Sequence, residues 1–234
     1  MAGKPTPTVE ELLTRLRGLG SPERIAGQQR YGIHGREQWG VSMPDIRAVA
    51  KGVKDHRLAL DLWQTAVHEA QLLAALIDRP QWVTREQMDA WVVDFDSWDL
   101  VDQTCMNLFD PTPFCWDAAS SWMEREEEFI RRAGFVLIAS RSVHDKSAPD
   151  SAFTAYFPAA LRHCGDNRIY VKKAINWMLR QIGKRNETLR IAALGVCDEI
   201  QATGSPSARW IASDAIRELS SPAIIARLQK KAKP

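Results

Sequence analysis

Tyr170-Val171-Lys172-Lys173-Ala174-Ile175-Asn176-Trp177-Met178-Leu179-Arg180 is the stretch whose reading decides the fold. At about 100° per residue, with Met178 as zero, Val171, Ala174, Ile175 and Ile182 fall between about −40° and +60°. A single apolar stripe with a helical period therefore runs through 168–185. Trp177 falls at about −100°, with Lys173, Lys184 and Arg180 at about −140°, −120° and −160°. The indole thus flanks the core and belongs to a basic strip, where it contacts a sugar face or, equally in keeping with the pattern, is a boundary side chain covered by lysine stems.

Working outward, the same period recurs almost throughout. It predicts helices near 8–18, 22–31, 43–54, 56–68, 69–79, 84–94, 97–109, 112–123, 126–140, 149–163, 187–202, 205–218 and 221–230. Turn-forming residues separate them, among them Gly20-Ser21-Pro22, Asp110-Pro111-Thr112-Pro113 and Gly204-Ser205-Pro206. Ser205-Pro206 and Ser221-Pro222 read as an N-cap followed by proline in the first turn. Alternating β-branched runs are nearly absent, so strands are not expected. Helices of this length on short loops suggest stacked antiparallel pairs of roughly 35–45 residues each, without a crisp sequence repeat; an irregular single-core bundle is the other reading.

The 234 residues are 45% hydrophobic and 26% charged, a balance that supports a sizeable core. No apolar run approaches the ~18–20 residues needed to span a bilayer, and the first residues lack the apolar stretch of a secretory signal. The expectation is one domain over 9–230, a flexible N-terminus over 1–8, a basic tail over 231–234, and a cytoplasmic location, nucleoid-associated in a bacterium. Cys105, Cys115, Cys164 and Cys197 show no metal-ligand or CxxC spacing and read as small core residues. The five histidines (His34, His56, His68, His144, His163) form no ligand spacing either, so no metal and no cofactor is expected. Net charge is +2, but unevenly spread: residues 1–161 carry 17 basic and 23 acidic residues, and 162–234 carry 14 and 6. The resulting −6 and +8 fit a nucleic-acid-binding face, or ordinary solvated helix surface.

Two further helices hold charged residues at the border of apolar stripes. In Ser97-Trp98-Asp99-Leu100-Val101-Asp102, Trp98 and Asp102 stand four apart and share a face. With Val101 as zero, Leu108, Cys105, Trp98 and Phe109 span about −20° to +80°, Asp102 lies at about +100°, and Asp99, at about −160°, is expected in solvent. A carboxylate at that border needs a partner, water or a chemical task. Around Val136, Arg132 falls at about −40°, inside the apolar arc, and Arg131 at about −140° outside it. An inward guanidinium requires an anion, which is Asp102, a phosphate, or each in turn.

These residues resemble the AlkD-like DNA alkylation-repair family, the HEAT-like-repeat alkylpurine DNA glycosylases. The likeness rests on Ser97-Trp98-x-x-Val101-Asp102, on Arg132-Ala133 in its helix, on Lys173-Ala174-Ile175-x-Trp177-x-Leu179-Arg180, and on Arg30-Tyr31 followed by Gly40-Val41-x-x-Pro44. The motifs keep their order over about residues 20–200. The resemblance implies an all-α fold, a curved right-handed solenoid of degenerate HEAT-like antiparallel helical pairs. It also implies a monofunctional glycosylase that removes positively charged N3- and N7-alkylated purines without a tight base-flipping pocket. By that resemblance Asp102 is the catalytic carboxylate, Arg132 the active-site arginine, and Trp98, Trp177 and Tyr31 the substrate-binding aromatics. Lys173, Arg180 and Lys184 are the expected DNA-backbone contacts. The implied partner is double-stranded DNA with alkylated purines, with no membrane, no obligate protein partner and a monomeric state. The alternatives are a helical module that binds damaged or branched DNA without cleaving it, and a protein-binding scaffold.

Overall fold

The computed structural model describes residues 6–232. Residues 1–5 and 233–234 lie outside it, and with them most of the expected flexible N-terminus and half of the expected basic tail. Among the described residues there is no strand, only an isolated bridge between Glu37 and Val67. None of the helices among these described residues is long and apolar enough to cross a membrane. The chain forms two compact units, Met1–Phe114 and Cys115–Pro234.

The first unit contains α1 (Val9–Gly18), α2 (Pro22–Arg30), α3 (Met43–Ala50), α4 (His56–Trp63), α5 (His68–Ile77), α6 (Arg85–Val92) and α7 (Trp98–Thr104). Local chemistry sets where these helices begin. Thr8 and Glu11 form a reciprocal capping box at α1, and Ser21, Ser42, Asp55 and Thr84 each accept a first-turn N–H. Helix α5 is buried on all sides from His68 to Ala75, as expected of the central element of a small core. Against it pack α3, α4 and α7. The aromatic half of this core is led by Trp63 and Trp91, whose rings stack at 3.8 Å between centroids.

The second unit contains α8 (Cys115–Met123), α9 (Glu128–His144), α10 (Asp150–Thr154), α11 (Phe157–His163), α12 (Ile169–Gly183), α13 (Glu187–Ala202), α14 (Pro206–Leu219) and α15 (Pro222–Ala232). Its core is the contact of α9 with α12. Phe135, Val136, Leu137 and Ile138 of α9 and the stripe Val171, Ala174, Ile175, Met178 and Ile182 of α12 are all fully buried. Helix α8 approaches α9 closely at Gly134, where a Cβ would stand 2.6 Å from the Met123 backbone nitrogen.

Several boundaries differ from the periodic reading, each for a local reason. The helix expected over 149–163 is two, α10 and α11, because Pro158 lacks an N–H and its ring opposes the preceding turn. The helix expected over 56–68 stops at Trp63, and Ala66 turns the chain at φ 55°. The helix expected over 97–109 ends as α7 at Thr104 and continues as a wider π turn over Cys105–Phe109, where the Asp110 N–H reaches the Cys105 carbonyl at 2.8 Å. At the far end, Lys231 belongs to α15 and not to a tail.

Candidate nucleic-acid interface

In the first unit, α7 presents the Trp98–Asp102 pair. Ser97 stands at its N-cap in an extended conformation, so Trp98 opens the helix and Asp102 follows one turn later. Both are half-buried. The Trp98 indole donates to the backbone carbonyl of Tyr31 at 2.9 Å. Tyr31 caps the C-terminus of α2, and the residue is 76% exposed. Two of the expected aromatics are thereby joined by a hydrogen bond that orients one indole while leaving the tyrosine exposed. The π turn begins one residue after α7 and widens the helix beyond Asp102.

The structure corrects the expectation for Asp99. It is buried, not solvated, and its Oδ2 lies 3.0 Å from Nε2 of His68, itself 1% exposed. Helix α7 is covered on two sides, since Leu100, well off the predicted stripe, is also fully buried. A one-stripe reading of a seven-residue helix misses the second contact, made with α5. Burial alone would lower the His68 pKa, but the hydrogen bond and charge of Asp99, with Glu69 and Asp96, outweigh it and leave it raised. Next to His68, the fully buried Glu69 accepts the backbone N–H groups of Trp39, Gly40 and Val41 at 2.7–3.1 Å. Gly40 has φ +75°, and a Cβ there would meet the Ser21 carbonyl at 2.3 Å. The Gly40-Val41 motif is thus the anchored turn that follows the Tyr31 segment. The sequence signal for this support was a carboxylate and an imidazole inside the apolar run Val67–Ile77, and periodicity gave it no weight.

In the second unit, Arg132 is inward, as expected: it is 5% exposed, and its Nη1 donates to the Tyr170 carbonyl at 2.7 Å. Tyr170 lies in the first turn of α12, so the guanidinium ties α9 to the helix that carries Trp177. Arg131 turns the other way and pairs with Asp166 at 2.8 Å. Trp177 is half-buried, and Lys173, one turn before it, is exposed. Lys172 stands 5.4 Å from the centroid of the Trp210 ring, a cation–π distance.

Arg180 and Lys184 share one acid. Glu218 of α14 lies 2.5 Å from Arg180 Nη1 and 2.7 Å from Lys184 Nζ, and Asp214 is 3.9 Å from Arg180 Nε. Burial raises the Glu218 pKa, but the two cations outweigh that and lower it, so the carboxylate is ionised. The basic stripe read from α12 alone is therefore partly neutralised by acids from a different helix. Among the described residues no group of His, Cys, Asp and Glu is arranged to hold a metal ion, and all four cysteines are buried, none of them in a disulfide.

A profile of the family described as DNA alkylation repair enzyme matches residues 12–219. The chain belongs to that family. This DNA alkylation repair family member is 24% identical over 149 residues to an uncharacterized protein of Listeria innocua serovar 6a. The match takes in 62% of this chain and 65% of the relative, so the chain spans just under two thirds of that protein's length. A solved structure is described as a new family of proteins related to the HEAT-like repeat DNA glycosylases with affinity for branched DNA structures. It matches this family member with a TM-score of 0.74 and 19% identity, over 82% of this chain and 83% of that one. At that identity the likeness is one of fold, a HEAT-like helical one.

Proposed function

We propose that this family member is a monofunctional DNA glycosylase that hydrolyses the N-glycosidic bond of positively charged N3- and N7-alkylated purines in double-stranded DNA. The observation that carries the reading is on α7: a half-buried carboxylate, Asp102, one turn from an indole whose N–H is fixed on the Tyr31 carbonyl. A cationic base is already a good leaving group, so the reaction needs no acid to protonate it. As the bond to C1′ lengthens, positive charge develops on the deoxyribose. A fixed carboxylate stabilises that charge and directs water to C1′, as in other glycosyl transfers. Asp102 has that role. Trp98 packs its face against the sugar–phosphate backbone and favours the cationic lesion, and Tyr31 adds a second aromatic surface.

The second unit contributes its own contacts with DNA. Trp177 packs on the backbone, Arg132 binds a phosphate, and Lys173 supplies a phosphate contact independent of sequence. Arg180 and Lys184 do the same by exchanging Glu218 for phosphate. No lysine adjoins Asp102 in the sequence to act as a Schiff-base nucleophile, which makes the product an abasic site. The test is a duplex oligonucleotide carrying one 7-methylguanine. The expected product is strand scission only after alkali; scission without alkali refutes the monofunctional mechanism, and no base release above the spontaneous rate refutes excision of this lesion.

A second reading draws on the solved neighbour, whose description names affinity for branched DNA. On it, the same residues bind branched or damaged DNA without cleavage. Base release by the wild-type protein eliminates this alternative.

A further inference from the structure

A cavity of about 430 Å³ in the second unit opens between the end of α9, the start of α10, the α12–α13 connection and α15, and five cations line it: Lys146, Lys184, Arg185, Arg227 and Lys231. The one lining carboxylate, Asp150, is held by the side-chain amide of Asn186 at 2.8 and 3.1 Å. Lys184 shares Glu218 with Arg180. Among the described residues no carboxylate lies within ion-pair distance of Lys146, Arg227 or Lys231.

The wall is built, not fluid. Arg185 donates to the carbonyls of Ser142, Asp145 and Ala148 at 2.7–3.1 Å, which fixes the α9–α10 connection against the end of α12. Arg227 donates to the Lys184 carbonyl at 3.2 Å, which docks α15 on the same edge. Folding therefore gathers like charges that repel one another. Burial and then the charges of Lys146, Arg227 and Arg185 lower the Lys231 pKa. An anion entering the cavity relieves that repulsion.

We propose that this cavity is a phosphodiester-binding subsite that takes a backbone phosphate of DNA. The assignment rests on the DNA-binding reading above and extends the footprint to residues outside the motifs: Lys146, Arg227 and Lys231. Two observations favour a polymer backbone over free phosphate. The α13 N-terminus, which would otherwise offer N–H groups to a small anion, is already capped by Asn186, whose side-chain oxygen accepts the Leu189 N–H at 2.8 Å. The cavity also lies at the C-terminal end of α12, eleven residues beyond Lys173 on a strip that includes Trp177. At ~1.5 Å per residue that is ~16 Å along the helix, a stretch of duplex that presents several phosphates.

The experiment measures binding of a fluorescein-labelled undamaged duplex by anisotropy across a salt series, using the full chain, the double variant R227Q/K231Q and, from a separate element, K146Q. Each lost phosphate contact makes the slope of log affinity against log salt shallower by about 0.9. With one phosphate at stake, the expected reduction is thus up to about 0.9 for R227Q/K231Q and likewise for K146Q, with K230Q, which does not line the cavity, unchanged. Slopes equal to wild type in folded R227Q/K231Q and K146Q overturn the assignment. Inorganic phosphate that displaces the duplex beyond chloride of equal ionic strength, with the excess lost in R227Q/K231Q, overturns it in favour of a free-anion site. Loss of binding to phosphatidylserine vesicles with the DNA slope intact overturns it in favour of a membrane surface. The readout is binding alone, so a protein that binds DNA through this cavity and releases no base refutes the glycosylase reading and leaves the subsite standing.

Discussion

His68 meets Asp99 at 3.0 Å on the buried side of the helix that carries Trp98 and Asp102, and neither was expected to matter. With the His68 pKa raised above its ordinary 6.5, the pair adds stability that is fully present below pH 6.5. That stability is lost as pH rises through the raised folded value. Asp99→Asn is expected to cost about 1.5–3 kcal/mol, the worth of a charged hydrogen bond, and to flatten the decline of melting temperature above pH 6.5. Thermal melts of both proteins from pH 5 to 9 check this; parallel curves contradict it. Among the expected site residues, the inward placement of Arg132 was legible because a guanidinium inside an apolar arc has few alternatives. One resting contact, with the Tyr170 carbonyl, was not legible, because a backbone acceptor leaves no trace in residue type.

Helix α9 shows how packing overrides propensity. Gly134 sits in the middle of it, where alanine is intrinsically better by about 1 kcal/mol. Yet a Cβ at that position meets Met123 N, Met123 Cγ and Ala119 O at 2.6, 2.8 and 2.9 Å, and two of those atoms belong to the α8 backbone. Gly134→Ala is therefore expected to destabilise by about 1–3 kcal/mol in denaturant melts, the usual cost of overpacking; a gain in stability refutes the close approach of α8 and α9. The same contrast explains which elements were readable. Where an apolar stripe ran long, as in α12 and α13, the sequence reading lands within a residue or two of the observed ends. It failed at Pro158, at the turn through Ala66, and in the π turn after Thr104, places where a missing donor or a non-helical angle interrupts an unchanged apolar pattern.

For the whole molecule the basic balance of 162–234 is the feature that composition announced, and its layout is what composition hid. Arg180 and Lys184 read as free phosphate contacts until α14 brings Glu218 between them. If those cations serve DNA, Glu218 competes with phosphate. Glu218→Gln is then expected to tighten duplex binding by up to about fivefold at moderate salt, in keeping with the ≲1 kcal/mol of partly exposed pairs; an unchanged or weaker affinity removes Arg180 and Lys184 from the interface. The assignment of chemistry rests on one carboxylate. The most direct measurement is release of 7-methylguanine from methylated duplex DNA by wild type and by Asp102→Asn, corrected for spontaneous loss. The account predicts release by wild type, a fall of about 10²–10³ in the variant, and DNA binding retained by both. Equal release from the two proteins, or none from wild type while DNA stays bound, contradicts it.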